Sequence, residues 1–176
     1  MENTVNLDII DETFIGVLAD WQGFDGFATR LHNRGYVVRS VRGHKCRTID
    51  TMIDEFSAAL QFPWYFGENW PAFDECICDL DWMSLSPERT DFGLGIVIAI
   101  PHSEQMLKDA RSIRLPDLVD VLNGAAQEFG TTLDAGNWWD HGPITFKVIL
   151  HGETPSDLDR WRGAGADIAM TPVDGA

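Results

Sequence analysis

The sequence predicts an α/β domain with a mostly parallel sheet packed by helices. Three observations lead there. First, Gly93-Leu94-Gly95-Ile96-Val97-Ile98-Ala99-Ile100 is continuously apolar, as expected of a central strand covered on both faces. Second, Ile49, Met52, Ile53, Phe56 and Leu60 recur at spacings of three and four behind Thr48, the pattern of an N-capped amphipathic helix. Third, strand-like runs at Tyr36–Val41, Gly93–Ile100 and Ile144–Leu150 alternate with helical stretches, which favours a mostly parallel sheet.

Along the chain, residues 1–33 read as an N-terminal extension that packs a strand and a helix on the domain. It begins acidic, turns apolar at Phe14-Ile15-Gly16-Val17-Leu18, expected as an edge strand, and continues with Phe24, Phe27 and Leu31 at helical spacing. Gly35 fits the C-terminal cap of that helix. Residues 34–152 form the main domain. After the strand at 36–41 and the helix opened by Thr48, Pro63 ends the helix and an aromatic loop leads into a second helix at about 70–80. Pro71 is tolerated there because a first-turn residue donates no helical hydrogen bond. The central strand follows, then a helical stretch near 103–112, a stronger one at about 116–129, and the last strand. Between these last two, Thr131 to Gly142, with Trp138 and Trp139, reads as an irregular, partly buried connection. Residues 153–176, rich in Gly, Ala, Asp and Pro, are expected to be a mobile tail with one helical turn around Leu158 and Trp161.

Composition narrows the functional classes. With 44% apolar and 23% charged residues in 176, the chain is of ordinary globular composition. The longest apolar run, Ile96 to Ile100, is too short to span a bilayer, so no membrane partner is expected. Acids stand near the start where a secretory signal needs bases, and three cysteines do not make a disulfide framework; both point to the cytoplasm. The net charge of −15 argues against direct nucleic-acid binding, which relies on Lys and Arg displacing counterions, and favours a basic protein partner. The charge is also segregated. From Gly26 to Ile49 there are six bases and no acid, whereas Thr48 to Glu88 holds nine acids and no Lys or Arg.

The most informative stretch is residues 62–80. Phe62, Trp64, Tyr65, Phe66, Trp70 and Phe73 are six aromatics in twelve residues, too many for a short loop to bury. On the helix that follows, Phe73, Cys76, Ile77 and Leu80 fall on an inward face, leaving Asp74, Glu75, Cys78 and Asp79 outside. Glu75 and Asp79 stand four apart, where like charges cost an isolated helix roughly 0.2–0.5 kcal/mol. Exposed Trp and Tyr beside such acids are typical of protein-binding surfaces.

The order Pro63-x-Tyr65-Phe66-Gly67-x-Asn69-Trp70-x-Ala72, with Cys76 following, resembles the signature of the barstar-like inhibitors of ribonucleases. The surrounding order of strands and helices agrees over about residues 34–152, with 131–142 as an insertion. The resemblance implies a three-stranded parallel sheet packed by helices. It also implies an inhibitor or immunity protein that binds a basic ribonuclease, one-to-one, and plugs its active site. Carboxylates would stand in for substrate phosphates in a cationic site, while aromatics fill its base subsites. Carried over residue by residue, Tyr65, Gly67, Glu68 and Asn69 match the loop that meets the nuclease, and Phe66 and Trp70 buttress it. Glu75 stands where the family usually has an aspartate pointing into the active site, and Asp79 lies one turn further. Pro71 occupies the place of another interface aspartate, and Asp74 can supply that charge. On the helix before the last strand, Glu128 is the acid of the segment 123–128. The loss at Pro71 leaves open an alternative, an interaction module whose basic partner is not a ribonuclease.

Other chemistry is thinner. Cys76 and Cys78 are two apart on one helix and point to opposite sides, so they cannot share a metal ion; Cys76 is expected in the core and Cys78 at the surface. His44 and Cys46 flank Lys45 in what reads as a basic turn. Asp74, Glu75 and Asp79 lie on a convex helix rather than in a cleft suited to glycoside chemistry. His102, after Ile100-Pro101, reads as an isolated, solvated residue. Gly93-x-Gly95 lies inside an apolar run, where glycine is expected to admit a closely packed helix rather than to bind a nucleotide. No catalytic residue, metal or cofactor is assigned, and no enzymatic activity is expected.

Overall fold

The computed structural model describes residues 6–85, 91–137 and 140–172. Among these, five strands form one parallel sheet: β1 (Phe14–Leu18), β2 (Val37–Ser40), β3 (Ile96–Ile100), β4 (Phe146–Gly152) and β5 (Ile168–Thr171), in the order β2-β3-β4-β1-β5. The helices are α1 (Trp21–Asn33), α2 (Ile49–Leu60), α3 (Trp70–Asp79), α4 (Arg114–Gly130) and α5 (Asp159–Gly163). The domain is therefore α/β as expected, with five strands instead of three.

The sheet separates two apolar layers because successive side chains of each strand point to opposite faces. One face carries Phe14, Val37, Ile96, Ile98, Ile100, Phe146, Val148 and Leu150, which pack against Met52 and Phe56 of α2, Phe73 and Ile77 of α3, Leu118 and Leu122 of α4, and Trp161 of α5. The other face, with Ile15, Val17, Val97, Ala99 and Ile149, is covered by Phe24, Phe27 and Leu31 of α1 and by Leu7. β3 and β4 are buried along their whole length, which is why β3 reads as an unbroken apolar run.

β1 is not the expected edge strand. It lies between β4 and β5, pairing Phe14 with both Val148 and Ile168. Nor is the segment after 153 the expected mobile tail. It forms a 3-10 turn at Pro155–Leu158, then α5 and β5, and Trp161 is completely buried with its indole N–H donating to Ser103 O at 2.9 Å. Leu158 packs over Gly16, where a Cβ would lie only 2.7 Å from it. Low apolar content disguised a segment whose Leu158 and Trp161 are fully buried.

Residues 103–112 are turns, with a 3-10 turn at Ser103–Gln105, instead of a helix. The amides of Leu107 and Asp109 donate across the structure to Cys46 O (2.7 Å) and Arg47 O (2.9 Å), so they are not available to a helical ladder. His102 and Leu107 both adopt left-handed backbone. The glycines before β3 admit backbone, not a helix: a Cβ on Gly93 would meet Gly35 O at 2.1 Å, and one on Gly95 would meet Thr145 O at 2.5 Å. Both have positive φ, a conformation glycine adopts without strain. In the connection from 131 to 142 the described residues are irregular, with 131–137 exposed and Asp140 and His141 partly buried; Trp138 and Trp139 lie outside the described residues.

Candidate protein-binding site

The loop between α2 and α3 is built from both ends. Leu60 ends α2, Gln61 takes left-handed backbone, and Trp82 donates its indole N–H to Leu60 O at 2.8 Å. The turn Pro63–Phe66 is closed by the Phe66 amide donating to Pro63 O at 2.9 Å. Phe62 meets Phe66 edge-on at 4.9 Å and Trp82 at 6.0 Å, and Trp70 lies 5.6 Å from Phe73. Phe62, Phe66, Trp70 and Phe73 thus anchor the segment to the core, whereas Trp64 and Tyr65 are left in solvent at 96% and 68% exposure. Phe66 and Trp70 are both partly buried against the core.

Asn69 sets the start of α3. Its side-chain oxygen accepts from the Ala72 amide at 3.0 Å, the bond that defines an N-cap, and its Nδ2 donates to Gly67 O at 2.9 Å. The one side chain therefore fixes helix and loop together. Glu68 between them has φ of 50°, so the left-handed position is held by Glu68, not by Gly67. A Cβ at Gly67 would instead lie 2.9 Å from Asn69 Nδ2.

Along α3, Asp74, Glu75 and Asp79 are exposed while Phe73, Ile77 and Leu80 are buried. The two cysteines depart from expectation. Both are half-buried, and Cys78 packs against the core where α3 meets α4. Burial, then the charges of Asp74, Glu128 and Asp79, push the Cys78 thiol up to about 11. Burial, then Glu75 and Asp79, raise Cys76 as well. Asp74 and Asp79 of α3 and Glu128 of α4 thus all bear on one thiol. Glu128, the acid that the sequence offers on the helix before the last strand, is exposed on α4, which packs on α3. No described residue forms an ion pair with Asp74 or Glu75. Asp79 closes the helix, where the macrodipole disfavours negative charge. Asp74 and Glu75 therefore do little for the helix that carries them.

Residues outside this surface have structural employment. Cys46 is buried and its thiol is pushed up to about 12, chiefly by burial, which leaves it protonated and unreactive. His102 is not isolated. Its ring stacks on Trp21 at 6.3 Å and meets His44 edge-on at 5.3 Å, and its backbone N–H donates to His151 Nδ1 at 3.1 Å. A cavity of about 550 Å³ at the amino-terminal ends of β3 and β4 shares no residue with the loop or α3. Its acids close local structure: Asp8 accepts from Thr145, Asp91 from the Gly93 amide, and Asp140 from the Gly136 and Asn137 amides. No described helix is long and apolar enough to cross a membrane.

Comparison with protein families matches residues 36–151 to Barstar, described as barnase inhibitor. The chain belongs to the Barstar family. The matched span runs from the residue before β2 to the end of β4, and contains both the aromatic loop and α3. Membership gives the chain a barnase-inhibitor-like, protein-binding role, and β1 and β5 extend the family sheet beyond the matched span. No curated protein matches the chain. Among solved structures, a chain in the structure of Drosophila ORC bound to GC-rich DNA and Cdc6 is similar, with a TM-score of 0.52 and 14% identity. The match covers 92% of this chain and 25% of that one, and is a likeness of fold alone.

Proposed function

We propose that this chain is an inhibitor, or immunity protein, of a basic ribonuclease, which it binds one-to-one in the cytoplasm and whose active site it blocks. The observation that carries the reading is the exposed acidic face of α3 beside the exposed ring of Tyr65, within the span matched to the Barstar family. Asp74, Glu75 and Asp79 offer carboxylates to cationic groups that otherwise hold phosphate, and Glu68 adds charge from the loop. Tyr65 is offered to a base subsite. Gly67 and Asn69 hold the loop in shape, with Phe66 and Trp70 behind it. Pro71 at the second helical position brings no charge, and Asp74 with Glu128 offsets that loss.

The test uses purified barnase. The chain should abolish its activity at one-to-one stoichiometry. Glu75→Ala should weaken inhibition by at least about 2 kcal/mol, roughly 30-fold, and added salt should slow association. Undiminished inhibition by a variant lacking Asp74, Glu75 and Asp79 together refutes the surface. The absence of a carboxylate at Pro71 favours one other reading, a basic partner that is not a ribonuclease. On that reading the same triple variant loses its partner while no nuclease is inhibited.

A further inference from the structure

Trp64 has no structural task. At 96% exposed it is the most exposed large apolar side chain among the described residues, and its one ring contact is with Tyr65, at 5.8 Å and 83°. It stands with Tyr65 at the two corners of the closed turn Pro63–Phe66, positions that polar residues and glycine normally fill. Behind the turn, the rings of Phe62 and Phe66 pack edge-on against each other and onto the core. The indole is thus presented from a braced support, and little ordering is needed when something covers it.

The surroundings specify the occupant. Thr48 to Glu88 holds no Lys or Arg, and the loop and helix beyond Trp64 carry Glu68, Asp74, Glu75 and Asp79. The one cation–π contact among the described residues is Arg30 over Phe27, so no described cation stacks on the Trp64 face. An electron-rich indole in a negative field favours a cation, and a flat, weakly hydrated guanidinium stacks on it better than an ammonium. We propose that Trp64 is an anchor that stacks on an arginine of the basic partner, at the rim of the surface formed by Tyr65 and the α3 acids. This rests on the reading that the surface binds a basic protein.

The test compares the full chain with Trp64→Ala, Trp64→Phe and Glu75→Ala against barnase. Trp64→Ala should weaken inhibition at least about 30-fold, chiefly by faster dissociation, and Trp64→Phe should recover most of it. Full inhibition by Trp64→Ala alongside a crippled Glu75→Ala overturns the anchor and leaves the inhibitor reading standing. If the unaltered chain leaves barnase active, the inhibitor reading fails for that enzyme, and the anchor is tested separately with a capped Gly-Arg-Gly-Arg-Gly peptide and its lysine counterpart. The Trp64 indole N–H resonance, assigned by its loss in Trp64→Phe, should then shift more with the arginine peptide than with the lysine one. It should also shift more than that of Trp21, which is 50% exposed. Equal shifts with both peptides, or a shift no larger than that of Trp21, overturn the anchor.

Discussion

Replacing Asn69 with alanine tests whether the loop is held or merely present. Two bonds disappear: the cap to the Ala72 amide at 3.0 Å and the donation to Gly67 O at 2.9 Å. Loss of an asparagine N-cap costs about 1 kcal/mol, and the exposed turn bond adds about 0.5 kcal/mol. With a urea m-value of about 2 kcal/mol per M, the total of about 1.5 kcal/mol should lower the midpoint by about 0.7 M. Far-UV circular dichroism in urea measures that shift, and barnase inhibition by the same variant measures its consequence. Gly67→Ala should reproduce the functional defect, because its Cβ would lie 2.9 Å from Asn69 Nδ2 and force that side chain away. Asn69→Asp keeps the cap acceptor and should recover about 1 kcal/mol of that loss without restoring the bond to Gly67 O. An Asn69→Ala variant of unchanged stability but poor inhibition would refute the reasoning, since Asn69 would then act on the partner directly.

Trp161→Ala should cost about 4 kcal/mol by opening a cavity and removing the donor to Ser103 O, and should lower the melting temperature by roughly 10 °C; a change under 1 kcal/mol would mean that residues 153–172 do not belong to the core. Glu55 is gripped by Arg42 through two side-chain bonds, at 2.6 and 2.9 Å, and that hydrogen bonding holds its carboxyl below the ordinary 4.5. A lowered carboxyl pKa contributes stability that is present above the unfolded value and is lost as pH falls through the folded one. Glu55→Gln should therefore destabilise by at most about 1 kcal/mol at pH 7, given the exposure of Arg42, and the two proteins should converge as pH drops below about 4.5. A gap that widens on acidification would contradict the assignment.

What was legible in the sequence was local. Thr48 caps α2 through a bond to the Thr51 amide, and the spacing of Met52, Ile53, Phe56 and Leu60 fixes its buried face. Pro71 and the inward Phe73 and Ile77 likewise placed α3 within a residue or two. What failed depended on partners distant in sequence. Nothing in Phe14–Leu18 states that Val148 lies on one side of it and Ile168 on the other. The amides of Leu107 and Asp109 find carbonyls at Cys46 and Arg47, so a helical pattern near 103–112 misleads. Cys78 was placed outward by its position on an isolated helix, but it packs against the core on the side where Glu128 of α4 bears on it. A candidate site could be proposed from the sequence because its residues are contiguous; the nearness of Glu128 could not, because it depends on a second helix.

The position of β1 has a consequence for how the chain comes into being. β1 must wait for segments that are made much later than itself, since Phe14 faces Val148 and Ile168. Until then Ile15 and Val17 have no sheet to join, and α1 has half of its apolar bed missing. The nascent polypeptide therefore carries an unsatisfied greasy ribbon until β4 and β5 emerge, and pairing across so long a loop makes that closure slow.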